Sequence, residues 1–398
     1  METRTLLLYA QDHKGLGHIS RTVTIARHLL AAYPNCVAYV TTESPITGDF
    51  RLPERCDYVK LPTLLIPGGV PQRLDEEDPA KQRFRSIRAR LLRDAALGLA
   101  PDLVLVDHEP FGHKGEFRDG LWALKAESPT TKFVLGLRDI MDDVARIRAQ
   151  WRELDVYEAL ESLYDGIAVY GVPELYDVAE AYAIPASVRP KLHYCGYIVR
   201  EPPRVDSGLV RRSHGLPGHG PLVVATAGSG SDGYPVLEAA QAAVARLQAK
   251  FPQLVAVLVT GPLMPARERA TLLARATATC PVLARADTLQ LMASADAVVS
   301  MGGYNSVCEA LAAARPLVIV PRATHKIEQQ IRAETLAARG LARWVHPRDL
   351  NASRLADALE WALRLDRQAY GRLVREVIPA FDGARRLTGY LARWLVGD

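Results

Sequence analysis

Five stretches of the 398-residue chain hold residue types that can grip phosphate, bind hydroxyl groups or move a proton. The first is Met301–Glu309, MGGYNSVCE, set between the apolar runs Ala297–Ser300 and Leu317–Val320. A strand, two glycines and a helix start, in that order, expose backbone N–H groups at the positive end of a helix dipole, which suits a phosphate. Glu309, expected in the first turn of that helix, can accept two hydrogen bonds from a ribose diol. Ser306-x-x-Glu309 is also a capping box, in which the glutamate only reaches back to the backbone, and the pattern supports both readings equally.

The second stretch, Gly228-Ser229-Gly230-Ser231-Asp232-Gly233, follows the apolar run Leu222–Thr226 and opens a helix. Its glycines permit close backbone approach to an anion; a flexible strand–helix loop is the plain alternative. The third, Pro321–Gln330 (PRATHKIEQQ), ends in Glu328, Gln329 and Gln330. These groups bond hydroxyls readily, although a solvated helix start would read the same way. The fourth is Lys14–Ser20, KGLGHIS. Gly15-x-Gly17, with Ser20 in the place of a third glycine, is a damaged dinucleotide fingerprint, and Glu43 stands roughly where its ribose-binding acid belongs. His18 is the more useful group: an imidazole titrates near neutrality and can take a proton from a hydroxyl, whereas an isolated histidine is more often a helix cap or core residue. The fifth, Val106–Gly112, puts Asp107 at a strand end, where it can orient His18 or act as a loop acid.

These groups need elements to position them. Short apolar runs at Thr5–Ala10, Cys36–Thr41, Leu103–Val106, Lys132–Leu137 and Gly166–Tyr170 read as strands, and Ser20–Ala32 as an amphipathic helix capped by Ser20. The texture changes at Gly196–Pro221, rich in Pro, Gly and Arg, which reads as a linker. Alternation restarts with strands at Leu222–Thr226, Leu254–Thr260, Ala297–Ser300 and Leu317–Val320, a helix over Pro235–Lys250, and helices to the end, including Tyr390–Val396. Continuous apolar strands separated by helices imply parallel sheets covered on both faces. The expected class is α/β: two Rossmann-like doubly wound halves, with ligands at the carboxyl ends of the strands and in the cleft between the halves.

Bulk properties agree with an ordinary soluble globular chain. Hydrophobic residues make up 48% and charged residues 24%, and a net charge of +4 is too small to support nucleic-acid binding as the main role. No run of about 18 apolar residues predicts a membrane span. The five cysteines are scattered without a C-x-x-C pair, so neither disulfides nor structural zinc is expected and a reducing cytoplasm fits.

Together the five stretches resemble GT-B glycosyltransferases of the MurG-like kind (glycosyltransferase family 28), and a related group of bacterial glycosyltransferases with the same layout. The resemblance runs through most of the chain and is most specific over Ser300–Gly340: G-G-Y-N-S-x-x-E at Gly302–Glu309, a strand, then H-K-x-x-Q-Q at His325–Gln330. Gly15-Leu16-Gly17-His18 matches the family's glycine-rich loop, but Lys14 and Leu16 make it poorer in glycine, so acceptor contacts are not carried over.

The resemblance implies an acceptor-binding domain over 1–200, a donor-binding domain over 205–380, and a C-terminal helix, 381–398, packing back on the first domain. It implies a nucleotide diphosphate sugar, UDP-, dTDP- or GDP-linked, as co-substrate with no further cofactor, and a small-molecule or lipid-linked acceptor. Glu309 would hold the ribose hydroxyls. Gly303, Tyr304, Asn305 and Ser306 would lie at the diphosphate, with Ser229 and Gly230 opposite. Gln329, with Glu328 and Gln330, would read the sugar, and the segment of Arg285 and Thr288 would meet the base. His18 would be the catalytic base, with Asp107 behind it. Enzymes of this kind invert by direct displacement. The two glutamates eight positions apart found in many retaining GT-B enzymes are missing, since Met301 stands eight before Glu309. No D-x-D triplet suggests a metal site, and helix N-termini can stabilise the leaving diphosphate, so metal-independent inversion is expected.

On the acceptor side, Leu61–Arg73 (LPTLLIPGGVPQR) and the basic helix Lys81–Arg93 (KQRFRSIRARLLR) suit a lipid-linked or anionic acceptor at the inner face of a membrane, against a mobile loop and a solvated helix face. Three other readings stand: a nucleotide-sugar epimerase of the same layout, a non-catalytic nucleotide-sugar-binding protein, and an NAD-dependent oxidoreductase using Gly15–Gly17 and Glu43.

Overall fold

The computed structural model describes residues 3–10, 17–44, 47–63, 79–200, 206–322 and 326–396. The chain divides into two compact units, Met1–Ile198 with Asp382–Asp398, and Val199–Phe381.

In the first unit, strands β1 (Arg4–Ala10), β2 (Cys36–Thr42), β3 (Cys56–Lys60), β4 (Leu103–Asp107), β5 (Lys132–Arg138), β6 (Gly166–Tyr170) and β7 (Leu192–Tyr194) form one sheet in the order β3-β2-β1-β4-β5-β6-β7. In the second, β8 (Leu222–Thr226), β9 (Val255–Val259), β10 (Val282–Leu283), β11 (Ala297–Ser300), β12 (Leu317–Ile319) and β13 (Ala342–Trp344) run β10-β9-β8-β11-β12-β13. Every pairing between these strands is parallel. Strands β4, β6, β8, β9 and β11 are buried throughout, which is why their sequences are unbroken apolar runs rather than alternations.

Each sheet winds one way from its first strand, then returns to add its fourth strand on the other side. The strand connections therefore diverge at β1/β4 and again at β8/β11, leaving a crevice beyond the carboxyl ends of those strands. His18 follows β1 and Asp107 ends β4, while Gly228–Gly233 follow β8 and Met301–Glu309 follow β11. The chemistry-bearing stretches fall at the two switch points.

Three local expectations change. The first helix spans Gly17–Ala32, so Ser20 lies within its first turn instead of capping it, and the Ser20 carbonyl accepts from Thr24 Oγ1 at 2.8 Å. The stretch Gly196–Pro221 is not a simple linker, because Ser207–Ser213 is a helix with the Asp206 carboxylate accepting from the amides of Gly208 and Leu209. The basic helix spans Pro79–Leu99 and turns Arg88 inward with Leu92 and Ala96. Buried Arg88 bonds Glu43 at 2.5 Å and Glu116 at 2.7 Å, and Tyr9 donates to the same Glu116. Glu43 is thus committed to a buried ion pair, and burial pushes its carboxyl up to about 7 against the pull of Arg88. The dinucleotide reading loses its ribose-binding acid.

The last helix, Gly383–Leu395, belongs to the first unit. Tyr33 donates to the Thr388 carbonyl at 2.8 Å, and the Tyr390 ring stacks on His193 at 4.3 Å. Among the described residues no helix is long and apolar enough to cross a membrane.

Candidate active site

In the first unit, the start of the helix Gly17–Ala32 brings His18 and Arg21, neighbours one turn apart, onto the end of β4. The Asp107 carboxylate lies 2.6 Å from His18 Nδ1 and takes three contacts of 2.7–3.0 Å from the Arg21 guanidinium. Asp107 and Arg21 are each 2% exposed. A carboxylate only accepts, so Nδ1 carries the proton in neutral His18 and Nε2 is the basic nitrogen. Arg21 Nη2 is also 3.1 Å from Nδ1, a contact between two donors in this tautomer.

Burial holds His18 below the usual imidazole range, at about 4; Asp107 opposes this, while Arg21 and Arg138 reinforce it. Burial alone would raise the Asp107 carboxyl, but Arg21 and the His18 hydrogen bond override it and hold it at about 2. The arrangement is a neutral base backed by a permanent carboxylate, which can stabilise the imidazolium formed when the base takes a proton. Beside it, His108 has a left-handed φ of 75°, its ring lies tilted with its centre 5.3 Å from that of the His18 ring, and its Nε2 is 2.8 Å from Arg138 Nη2. A β4 end that keeps a strained, buried histidine next to Asp107 is a feature the sequence did not signal.

In the second unit, the helix Tyr304–Ala312 is capped by Gly303 with no side-chain cap. Ser306 lies inside the first turn and Glu309 in the second, so the capping-box reading fails on register and the first-turn placement of Glu309 is corrected. Glu309 is 5% exposed and its Oε1 accepts from Arg200 Nε at 2.7 Å. Gly302 needs its glycine: φ is +81°, and a Cβ there would meet Ile319 at 2.9 Å. Gly303 does not. Its φ is −62°, and a Cβ there would meet nothing within 4 Å. Neither conformation nor packing asks for glycine at this position, which leaves room beside the first turn of the helix. Gly303→Ala is expected to melt within about 1 °C of the parent while weakening nucleoside diphosphate binding several-fold, as measured by calorimetry. An alanine variant with parental affinity would show that no ligand approaches this N–H cluster.

Around this helix start, Ser229 and Gly230 belong to a tight loop in which Gly230 has φ +96° and the Ser229 carbonyl accepts from Leu263 N at 2.8 Å. Asp232 from the same loop pairs with Arg322 after β12, Nη2 to Oδ1 at 2.9 Å. Arg322 brings a guanidinium to the glycine loop, and buried Arg332 donates to the Gly302 carbonyl at 2.7 Å while lying over the Tyr304 ring. Sequence reasoning missed both arginines. Gln329 is buried and its Oε1 accepts from the Arg322 backbone amide at 2.8 Å. Gln330 bonds Glu334 at 2.9 Å on the helix surface, and Glu328 opens that helix. Arg285 is exposed, and Thr288 starts the helix Thr288–Ser294 capped by Asp287. Asn305 and Ser306 are half-buried in the first turn and Tyr304 is buried. Gly17 begins the first helix; Gly15, His325 and 64–73 of the acceptor-side loop lie outside the described residues.

Residues 227–371 match the glycosyltransferase family 28 C-terminal domain. A curated relative from Methanopyrus kandleri, described as an uncharacterized glycosyltransferase, is 25% identical over 212 residues, covering 51% of this chain and 56% of that protein. The chain thus spans about half the length of the curated relative it matches. Among solved structures, the glycotransferase of kitacinnamycin superposes with a TM-score of 0.68 at 17% identity over 99% of both chains. Phytolacca americana UGT2, complexed with UDP-2-fluoro-glucose and pterostilbene, gives 0.68 at 14% identity over 98% of this chain and 100% of that one. The chain has the GT-B fold seen in these glycosyltransferase structures. More narrowly, the part of its second unit over 227–371 is similar to the glycosyltransferase family 28 C-terminal domain.

Proposed function

We propose that this protein transfers a sugar from a nucleoside diphosphate sugar to an acceptor, inverting the anomeric centre, with His18 as the base and no metal. The observation that carries this reading is the second-unit switch point: an open glycine-capped helix start, followed within two turns by a buried carboxylate, inside a family 28 domain. The UDP-2-fluoro-glucose bound by the structurally similar plant enzyme supports the donor class.

In the proposed step, Nε2 of neutral His18 takes the acceptor proton and Asp107 stabilises the imidazolium. The acceptor oxygen bonds the anomeric carbon as the bond to the diphosphate breaks on the opposite face. The departing charge is met by the first-turn N–H groups of the helix at Gly303–Ser306, by the Ser229 side of the glycine loop, and by Arg322. Glu309 holds the ribose, and the Arg285–Leu289 segment the base. The helix Pro79–Leu99 exposes Ile87 and Leu91 among basic residues, which favours an acceptor presented at an anionic lipid surface on the cytoplasmic side.

A thermal-shift panel of UDP, dTDP, GDP, ADP, CDP and NADH tests the donor class. One nucleoside diphosphate is expected to raise the melting temperature selectively. Glu309→Gln is expected to weaken that ligand by about 1–3 kcal/mol, since hydrogen bonds to a charged group are lost. Stabilisation by NADH alone overturns the reading. Conversion of the donor sugar to an epimer without acceptor would favour the epimerase instead.

A further inference from the structure

Glu309 is buried in the second turn of its helix, and among the described residues Arg200 is the side chain bonded to it. Arg200 comes from the start of the second unit, 109 positions earlier in the chain. Its Nε holds Oε1 at 2.7 Å, and its Nη1 lies 4.0 Å from Asp287 Oδ1. Asp287 in turn caps the helix Thr288–Ser294, accepting from Leu289 N at 3.1 Å and Gln290 N at 3.4 Å. One guanidinium therefore spans the carboxylate assigned to the ribose and the cap of the segment assigned to the base.

A charge-assisted bond to one oxygen of a buried carboxylate fixes its rotamer. With Arg200 on Oε1, Oε2 is left to accept from a diol in a set direction. Arg200 is itself part exposed, at 37% of its side chain, so it is not a group the core needs for packing.

We infer that Arg200 is a positioning residue that sets the ribose selectivity of the donor site, by locking Glu309 and tying it to the base-binding segment through Asp287. This rests on the donor-site reading above. The test uses calorimetry on the full chain with the nucleoside diphosphate selected by the panel, its 2′,3′-dideoxy analogue, and inorganic pyrophosphate. The wild-type protein is expected to prefer the ribonucleotide over the dideoxy analogue by about tenfold, the worth of two hydroxyl hydrogen bonds to a carboxylate. Arg200→Gln is expected to erase most of that preference while pyrophosphate binding stays within about twofold, and Arg200→Lys, which keeps the charge, to fall between. Combining Arg200→Gln with Glu309→Gln should cost no more selectivity than Glu309→Gln alone, as expected of two residues acting as one unit. Undiminished ribose preference in Arg200→Gln overturns the inference. So does an equal loss for all three ligands with a lowered melting temperature, which marks a purely structural pair. A wild-type protein that binds the ribonucleotide and dideoxy forms equally overturns the donor-site reading itself.

Discussion

Replacing His18 with alanine is expected to slow sugar transfer by about 10²–10⁴-fold, the range for a positioned general base, with nucleoside diphosphate affinity unchanged. The separation follows from where the groups lie. His18 and its partners belong to the first unit, whereas the groups assigned to the nucleotide belong to the second. Single-turnover rates at saturating donor, with calorimetry on the same variant, check both halves of the prediction. A variant that loses donor affinity but keeps its rate would remove His18 from the chemistry.

The pH dependence sharpens this test. Burial holds the folded-state His18 at about 4, below the ordinary 6.5, so the base is neutral across the physiological range. The kcat/KM profile should rise as pH passes through about 4 and then stay level, with no inflection near 6.5. Stability carries a matching sign. A depressed histidine binds its proton more weakly folded than unfolded, so its contribution is fully present above 6.5 and is lost as pH falls from 6.5 towards 4. Asp107 acts lower: its contribution is present above its ordinary 3.8 and is lost as pH falls through about 2.

Asp107→Asn is expected to be the most damaging single change, because it acts on the fold and the reaction together. Arg21 is 2% exposed and makes three contacts to this carboxylate. Removing this carboxylate takes away the counter-charge that a buried guanidinium contacts three times, which costs about 3–5 kcal/mol. The asparagine amide can also turn a donor towards His18 Nδ1, which favours the tautomer with the wrong nitrogen protonated. Urea unfolding measures the first effect, and the transfer rate of the remaining folded fraction the second. Arg21→Met with Asp107→Leu separates them. Stability should largely return, since an apolar pair of similar bulk replaces a buried ion pair, while the rate stays low. If that double variant transfers sugar at the wild-type rate, Asp107 is structural only.

What the sequence determined by itself is what local pattern controls. An unbroken apolar run such as LVVAT or AVVS specifies a strand buried on both faces, because every side chain on both sides must be apolar. Glycines between such a strand and a helix mark where the backbone must turn or stay open. Those two signals were enough for the α/β class and for a helix start at Tyr304. Its register within one turn was not legible: Ser306 and Glu309 match a capping box letter for letter, and only the observed cap at Gly303 places the glutamate one turn too far along to reach back. Ser20 was misplaced for the same reason, since a good cap residue can also lie within a first turn.

Partnership was the part only the tertiary structure decided. Glu43 and Glu309 are both acids after a strand that could hold a ribose, and nothing local separates them. The fold does, by bringing Arg88 from 45 residues away to bury Glu43 in a two-carboxylate cluster, and Arg200 from 109 residues away to hold Glu309 by one oxygen. Asp107 likewise acquires His18 and Arg21 across 89 and 86 residues. An ion pair's worth depends on burial and direction, and the winding of two parallel sheets sets both, through contacts too distant in sequence for any spacing rule to record.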